Sequence, residues 1–357
     1  MTGKEIIRAL LRGERVPRLA WVPLIDPYTR SGFSEPLRSM EVFELQRHFG
    51  ADLYRGCSGE EVRYDSAIKH VRTEWGDGGI LDVYETPKGR LREVHTFNAA
   101  SPYIPFPTEP LIKNWEDLDA YLCLVEHSEV FASHGKCEDV IRRHPEAMIS
   151  AAMPDTPLAM LMTKLIGVET FVYMHMEDPD RMKTAMERMQ SKNVERCRAA
   201  AAGPCELFIS YENTNTTCFG VRWIEEYELP CLNEYADVCH AAGKHLLVHM
   251  CGHIETVVAR IAESRIDGVI DVAPPPTGDC RIPGAASTLA ARGKLFGGGI
   301  ECNTFLLKDA DLFERHVRDL VDSIPDTSSF LLGSGDAVPQ GTTEENLHRA
   351  RRIAHGA

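Results

Sequence analysis

A chain of 357 residues, 43% hydrophobic and 26% charged, has the material for one large α/β domain or two ordinary ones, with a core of full size. Its net charge of −14 and the lack of a basic stripe with interleaved aromatics exclude a nucleic-acid surface, which depends on clustered Lys and Arg. No stretch approaches the roughly 20 apolar residues of a membrane helix, and the opening Met1–Arg8 carries no apolar run of signal-peptide length, so the cytoplasm is the expected compartment. Eleven cysteines without a CxxC pair then read as reduced thiols, mostly buried as small hydrophobes.

In chain order, Ile6–Arg12 reads as a short helix. The apolar run Leu19–Leu24 ends in a polar tip of Asp26, Tyr28 and Arg30, and a helix over Glu41–Phe49 leads to a short strand at Ala51–Tyr54. From Ile68 to Thr96 the pattern alternates with period two, broken by turn signals at Trp75–Gly79 and Thr86–Gly89. That predicts a small β-meander inserted at about residues 66–98. Trp115–Leu124 and Val130–Arg143 are expected to be helical.

A regular alternation follows. Strands are predicted at Ala147–Ala152, Leu207–Tyr211, His245–His249, Gly268–Val272, Lys294–Gly298 and Phe330–Gly333. Helices are predicted at Pro179–Ala202, Ile224–Ala242, Ile254–Ser264, Asp309–Ser323 and Thr343–Ala354. With the two early strands this makes about eight β/α units, the number that closes a (β/α)₈ TIM barrel. The expected organisation is a single barrel domain over 1–357 carrying the inserted sheet. A doubly wound sheet is disfavoured because no GxGxxG turn opens an early helix. The methionines Met160, Met162, Met174 and Met176 read as core filler on helices, and His240 and His253 as helix-surface or capping residues.

Functional groups of such a barrel sit where strands end. Those positions hold Asp26, Tyr28, Arg30, Asp155, Glu212, Asn213, Asn215, His249, Cys251, Asp271, Glu301, Cys302 and Asp336. His249-Met-Cys251-Gly252 is the sharpest signal. Residues i and i+2 of an extended strand face one side, so an imidazole and a thiol converge as a soft pair suited to Zn²⁺. A catalytic zinc needs about three protein ligands and one open position. Asp336, Cys302 and Glu212 compete for the remaining place. Asp336 leads, because it lies in the tight turn Leu332-Gly-Ser-Gly-Asp-Ala-Val-Pro339, where small residues leave room for a ligand. Glu212, Asp26 and Tyr28 are the candidate catalytic side chains. Asn213, Asn215, Asp155 and Glu301 are the candidate substrate-binding ones, with Glu212–Thr217 forming a polar wall.

On these residues the chain resembles the uroporphyrinogen decarboxylase superfamily, and within it the corrinoid-linked zinc methyltransferase branch. The likeness rests on Leu246-Leu-Val-His-Met-Cys-Gly-His253, on Gly298-Gly-Ile-Glu-Cys-Asn303, and on Gly335-Asp-Ala-Val-Pro-Gln-Gly-Thr-Thr-Glu-Glu-Asn346. It extends more weakly through Glu85–Arg92. The resemblance implies a barrel with its site at the C-terminal mouth and a zinc held by a His-x-Cys pair plus a distant cysteine. The pair corresponds to His249 and Cys251. The distant cysteine is replaced by Asp336, whose carboxylate is an acceptable zinc ligand.

The implied activity moves a methyl group between a small methylated compound (methyl ether, amine or thiol) and a corrinoid (cobalamin). No Asp-x-His-x-x-Gly corrinoid signature is present, so the corrinoid would ride on a separate partner protein. The alternatives are a uroporphyrinogen-decarboxylase-like lyase and a non-catalytic ligand-binding barrel. The decarboxylase branch holds its polycarboxylated substrate with an arginine-rich Arg-Gln-Ala-Gly-Arg stretch. Pro23–Arg30 here offers one arginine and an added acid, which disfavours that substrate.

Overall fold

The computed structural model describes residues 1–76, 78–98 and 101–356, with the side chains of residues 101–104 left aside. Eight parallel strands form one sheet: β1 (Ala20–Trp21), β2 (Tyr54–Cys57), β3 (Met148–Met153), β4 (Leu207–Ser210), β5 (His245–His249), β6 (Gly268–Val272), β7 (Leu295–Ile300) and β8 (Phe330–Ser334). Their order is β1-β8-β7-β6-β5-β4-β3-β2. β4, β7 and β8 are buried along their whole length, as expected of parallel strands covered on both faces.

The sheet curls until its two edges touch. The Asp52 N–H, just before β2, donates to the Trp21 carbonyl at 2.8 Å. The Trp21 N–H donates back to Asp52 Oδ2 at 2.9 Å. Arg18 clamps the same carboxylate from Nη1 at 2.8 Å and Nη2 at 2.6 Å.

Alternation along the strands divides the core in two. Phe208, Leu246 and Val248 pack outward against the helices. Leu207, Ile209, Leu247, Leu295 and Leu331 point inward and meet Ile6, Ile7 and Leu10 of the helix Gly3–Leu11. This helix stoppers the sheet's N-terminal end. It starts cleanly because Thr2 and Glu5 form a reciprocal capping box.

A separate four-stranded antiparallel sheet comprises Lys69–Trp75, Gly79–Thr86, Gly89–Asn98 and Ser101–Glu109. It runs on past residue 98, and Asp77 of the Trp75–Gly79 turn lies outside the described residues. Within its second strand, buried Asp82 accepts from Arg72 and His70, at 2.8 Å and 2.6 Å.

Several expectations are corrected. Val130–Arg143 is not one helix: Ser128–Ala132 is a strand antiparallel to Glu60–Tyr64, and the helix begins only at Gly135. The apolar Val130 and Phe131 satisfy either pattern, and pairing with the partner strand decides between them. The second strand of the large sheet is Tyr54–Cys57 rather than Ala51–Tyr54. The stretch Ile224–Ala242 opens with a π-helical turn at Ile224–Glu228 and becomes an α-helix only at Leu229. Met162 and Met174 are buried, but Met176 is 75% exposed and is no core residue. All eleven cysteines are free. Among the described residues, no helix is long and apolar enough to cross a membrane.

Candidate metal centre

His249 closes β5 on its inward face, two residues after the inward Leu247. Cys251 follows where the chain leaves the sheet. Gly252 is required next, because a Cβ there would press on the Thr214 carbonyl and lie 2.7 Å from the Asn215 Cβ. The turn can therefore lie flat against the loop that follows β4. That loop is tied back by the Thr216 N–H, which donates to the His253 carbonyl at 2.9 Å.

Asp336 arrives from the end of β8, three strands along the sheet from β5. Its approach also depends on glycine: a Cβ on Gly335 would sit 2.6 Å from the Ala273 Cα, and one on Gly333 2.8 Å from the Val22 carbonyl oxygen. The result is a three-residue group, His249, Cys251 and Asp336, with one ligand atom from each lying within 4.8 Å of the others. Glu212 and Cys302, the competing third ligands, are not in this group.

A strand-end acid to which the sequence assigned no role completes the surroundings of His249. Asp271 Oδ2 lies 2.8 Å from His249 Nδ1. Asp271 reaches it because β6 departs from regular pairing between Val269 and Val272, and Asp271 adopts φ +60°. Irregularities of this kind re-aim side chains at functional sites. The neighbouring strand accommodates the bulge through Gly298, whose φ is +119° and whose Cβ would lie 2.5 Å from the Val272 nitrogen. In sequence Asp271 is visible only as one more strand-end acid. The signal that could have singled it out is the triple glycine Gly297–Gly299, which announces a close backbone approach.

Burial alone would push the His249 imidazole below its ordinary value. The hydrogen bonds and negative charges of Asp271 and Cys251 outweigh it and lift the group to about 10. With Asp336 in the same group, three side chains able to carry negative charge lie around one ring, an arrangement that a cation completes. With Nδ1 engaged by Asp271, Nε2 is the nitrogen left to bind it. Carboxylate-backed histidines are the usual first ligands of protein zinc. Cys251 Sγ lies 3.6 Å from Asn213 Oδ1, and Asn213 is held at φ +52°.

The other predicted site residues are spread around this centre. Glu212 is buried and fully engaged: it accepts from the Thr156 N–H at 3.0 Å, the Thr156 hydroxyl at 2.7 Å and the Ser210 hydroxyl at 2.5 Å. Burial and the charge of Asp155 raise it to about 7. Asp155 is buried and paired with Lys164. Asn215 accepts from the Thr217 N–H and hydroxyl at 3.0 and 2.7 Å, a local turn. Glu301 accepts from Thr277, Asn303 and the Thr304 N–H, capping the short helix Cys302–Leu306. Cys302 is pushed up to about 12 by burial and by the Asp336 and Glu301 charges.

On the first loop, Asp26 caps the helix Pro27–Ser31 through Thr29, at 2.7 Å to its N–H and 2.8 Å to its hydroxyl. Tyr28 is half-buried on that helix. Arg30 gives its guanidinium to the Met40 carbonyl at 2.7 Å and the Arg38 carbonyl at 3.3 Å. His240 pairs with Asp267 at 2.9 Å on the helix surface.

Sequence reasoning also missed two tyrosines. Tyr211 ends its strand with its ring 5.8 Å from the His249 ring. Tyr54, on β2, bonds Ser150 at 2.7 Å. With Asp271 they supply the polar groups of an axial cavity of about 60 Å³, otherwise lined by aliphatic side chains including Ile7, Ile209, Leu247 and Ile270. A groove of about 730 Å³ lies outside the sheet between the helices Pro179–Ala201 and Leu229–Ala241 and touches none of these residues.

Comparison with known proteins agrees with the architecture. A methyltransferase from Methanosarcina mazei is similar in structure, with a TM-score of 0.62 at 12% identity over 99% of this chain and 98% of that one. A B12-independent methionine synthase from Shewanella sp. W3-18-1, in complex with selenomethionine, is similar with a TM-score of 0.49, at 12% identity over 94% and 95% of the two chains. At 12% identity the likeness to the Methanosarcina protein is one of fold. No curated protein matches the chain. The uroporphyrinogen decarboxylase (URO-D) family profile matches residues 105–357, more than half of the sequence and all of the strands that carry the metal group; the chain belongs to that family.

Proposed function

We propose that this protein is a zinc-dependent methyltransferase that passes a methyl group from a small methylated ether, amine or thiol to a corrinoid on a separate protein. The observation that carries the reading is the convergence of His249, Cys251 and Asp336 within 4.8 Å at the C-terminal ends of strands. One nitrogen, one sulfur and one oxygen donor suit zinc, and three protein ligands leave the open position that a catalytic site needs. When bound, the zinc supplies Lewis acidity that draws electron density from the donor heteroatom and makes it a better leaving group. A set with one thiolate and one carboxylate is less electron-rich than one with two thiolates, which favours this role over holding a substrate thiolate.

The chain's own groups orient the rest. Asp271 fixes the ring of His249, and Asn213 Oδ1 accepts from the Cys251 thiol, a proton that metal binding would displace. Glu212 binds the turn at Thr156, so we assign it positioning rather than contact with substrate. Tyr54 and Tyr211 face the axial cavity, whose aliphatic walls suit a methyl group. Asp26 and Tyr28 shape the first loop, with Asn215, Asp155 and Glu301 around the rim. The fold reading that goes with this is a closed (β/α)₈ barrel forming one domain over 1–357, with the antiparallel sheet as an insert.

The decarboxylase reading is weaker because Arg30, the arginine of the first loop, is committed to backbone carbonyls. The test is methylation of free reduced cobalamin, followed by its absorbance, with methyl ethers, methylamines and methyl thiols as donors. We expect turnover with one donor class, lost in Cys251→Ser. A zinc-loaded protein inert towards every donor and towards a supplied corrinoid protein would favour a non-catalytic barrel.

A further inference from the structure

A second group of metal donors lies away from the strand ends, where the first and last parts of the chain meet. Glu344 and His348 stand one turn apart on the helix Glu344–Ala354, so their side chains share a face. His48 ends the helix Val42–His48 and meets them there. One ligand atom from each of the three lies within 4.8 Å of the others. His48 Nε2 is 3.1 Å from Glu344 Oε2, and the two imidazole centroids are 5.3 Å apart.

The rings are not loose. Phe49, fully buried, packs against both imidazoles, with centroids 4.9 Å from His48 and 5.5 Å from His348. Restricting the rings in this way lowers the entropy lost when a ligand is bound. The neighbouring cations are occupied elsewhere: Arg47 bonds Glu146 at 2.7 Å and Arg352 bonds Glu345 at 2.9 Å.

We infer that His48, Glu344 and His348 form a second site for a borderline divalent transition metal such as Zn²⁺, which clips an early helix to the last one. Two imidazoles and a carboxylate are an ordinary zinc set, with water completing the tetrahedron. The site is independent of the centre at His249 and of the proposed methyl transfer, so either can fail without the other.

The experiment compares wild type with the double variant His249→Ala/Cys251→Ser and with that double variant carrying His48→Asn or His348→Asn in addition. Each is dialysed to equilibrium with Zn²⁺ and its metal content measured. We expect that the His249→Ala/Cys251→Ser protein still takes up one equivalent, and that adding His48→Asn or His348→Asn to it abolishes this uptake. Loaded with Co²⁺ instead, that double variant should show visible ligand-field bands without a near-ultraviolet thiolate band, because the second site has no sulfur. Zinc at about a hundred times its dissociation constant should raise its melting temperature by on the order of 3–5 °C. Failure of the double variant to bind zinc, or uptake indifferent to His48→Asn and His348→Asn, would overturn the proposal.

Discussion

At the scale of single residues, the site depends on groups that hold other groups. Asp271 touches the imidazole of His249 from the side away from the proposed metal. Carboxylate partners of this kind are worth about 10–100-fold in metal affinity. Asp271→Asn keeps the shape and tolerates the left-handed backbone, so it should weaken zinc binding by that factor with the circular dichroism unchanged. Competition with a chromophoric chelator measures it, and an unaltered affinity would remove Asp271 from the account. Glu212 gives a pH signature. Its pKa rises from an ordinary 4.5 to about 7 because it is buried near Asp155. Buried Glu228, which accepts from Thr214, is raised in the same direction by burial and by Glu212. A raised carboxyl favours the folded state fully below its unfolded value, and that contribution is lost as pH rises through the folded value. Stability of the metal-free protein should therefore fall between about pH 4.5 and 7 by this term. Glu212→Gln should flatten that slope in melting temperature; a slope identical to wild type would refute the assignment. None of this was legible in the sequence. Glu212 there is one acid in a polar run, and only burial distinguishes a capping carboxylate from one that meets substrate.

Among elements, the decisive contacts are those that let strands approach irregularly. Gly298 accommodates the bulge in β6, and the bulge turns Asp271 towards β5. Gly298→Ala would meet the Val272 backbone and force a residue with a side chain into φ +119°. Strain of this sort costs about 1–3 kcal/mol. Urea unfolding should show that loss together with weakened zinc binding, whereas a loss of stability with affinity intact would mean that the bulge does not position Asp271. The seam between β1 and β2 rests on Asp52, 3% exposed in its side chain and clamped by Arg18. Leaving that guanidinium without its partner costs about 3–5 kcal/mol, so Asp52→Ala should lower the urea midpoint by that equivalent. A change below about 1 kcal/mol would show that the edges are held by other contacts. The sequence exposed the strands well from β3 onward, because doubly buried runs such as Leu246–Val248 have few alternative readings. It failed at Val130–Phe131, where a short apolar stretch is decided by a partner strand some 70 residues earlier.

The whole molecule brings residues together that are far apart in sequence, and the grouping of His249, Cys251 and Asp336 is a product of the curled sheet. The pair His249 and Cys251 was visible in sequence because two donors lie two residues apart on one strand. Asp336 was visible only as a contender, since a carboxylate in a glycine turn also reads as a helix cap; the curling of the sheet brings Asp336, and neither Cys302 nor Glu212, into one group with the pair. Tyr54 and Tyr211 were invisible as site residues, being ordinary strand-end aromatics until the inward face is known. The stopper helix and the axial cavity likewise exist only in three dimensions. The central claim is that His249, Cys251 and Asp336 together bind the catalytic metal. Its most direct test is the electronic spectrum of the Co²⁺-substituted protein, because a thiolate-to-cobalt band reports sulfur coordination and nothing else in this site can produce it. The account predicts such a band in the wild type, its loss in Cys251→Ser, a shifted spectrum in Asp336→Ala and no change in the near-ultraviolet band in His48→Asn. A wild-type protein lacking the band, or a band that survives Cys251→Ser, would contradict it.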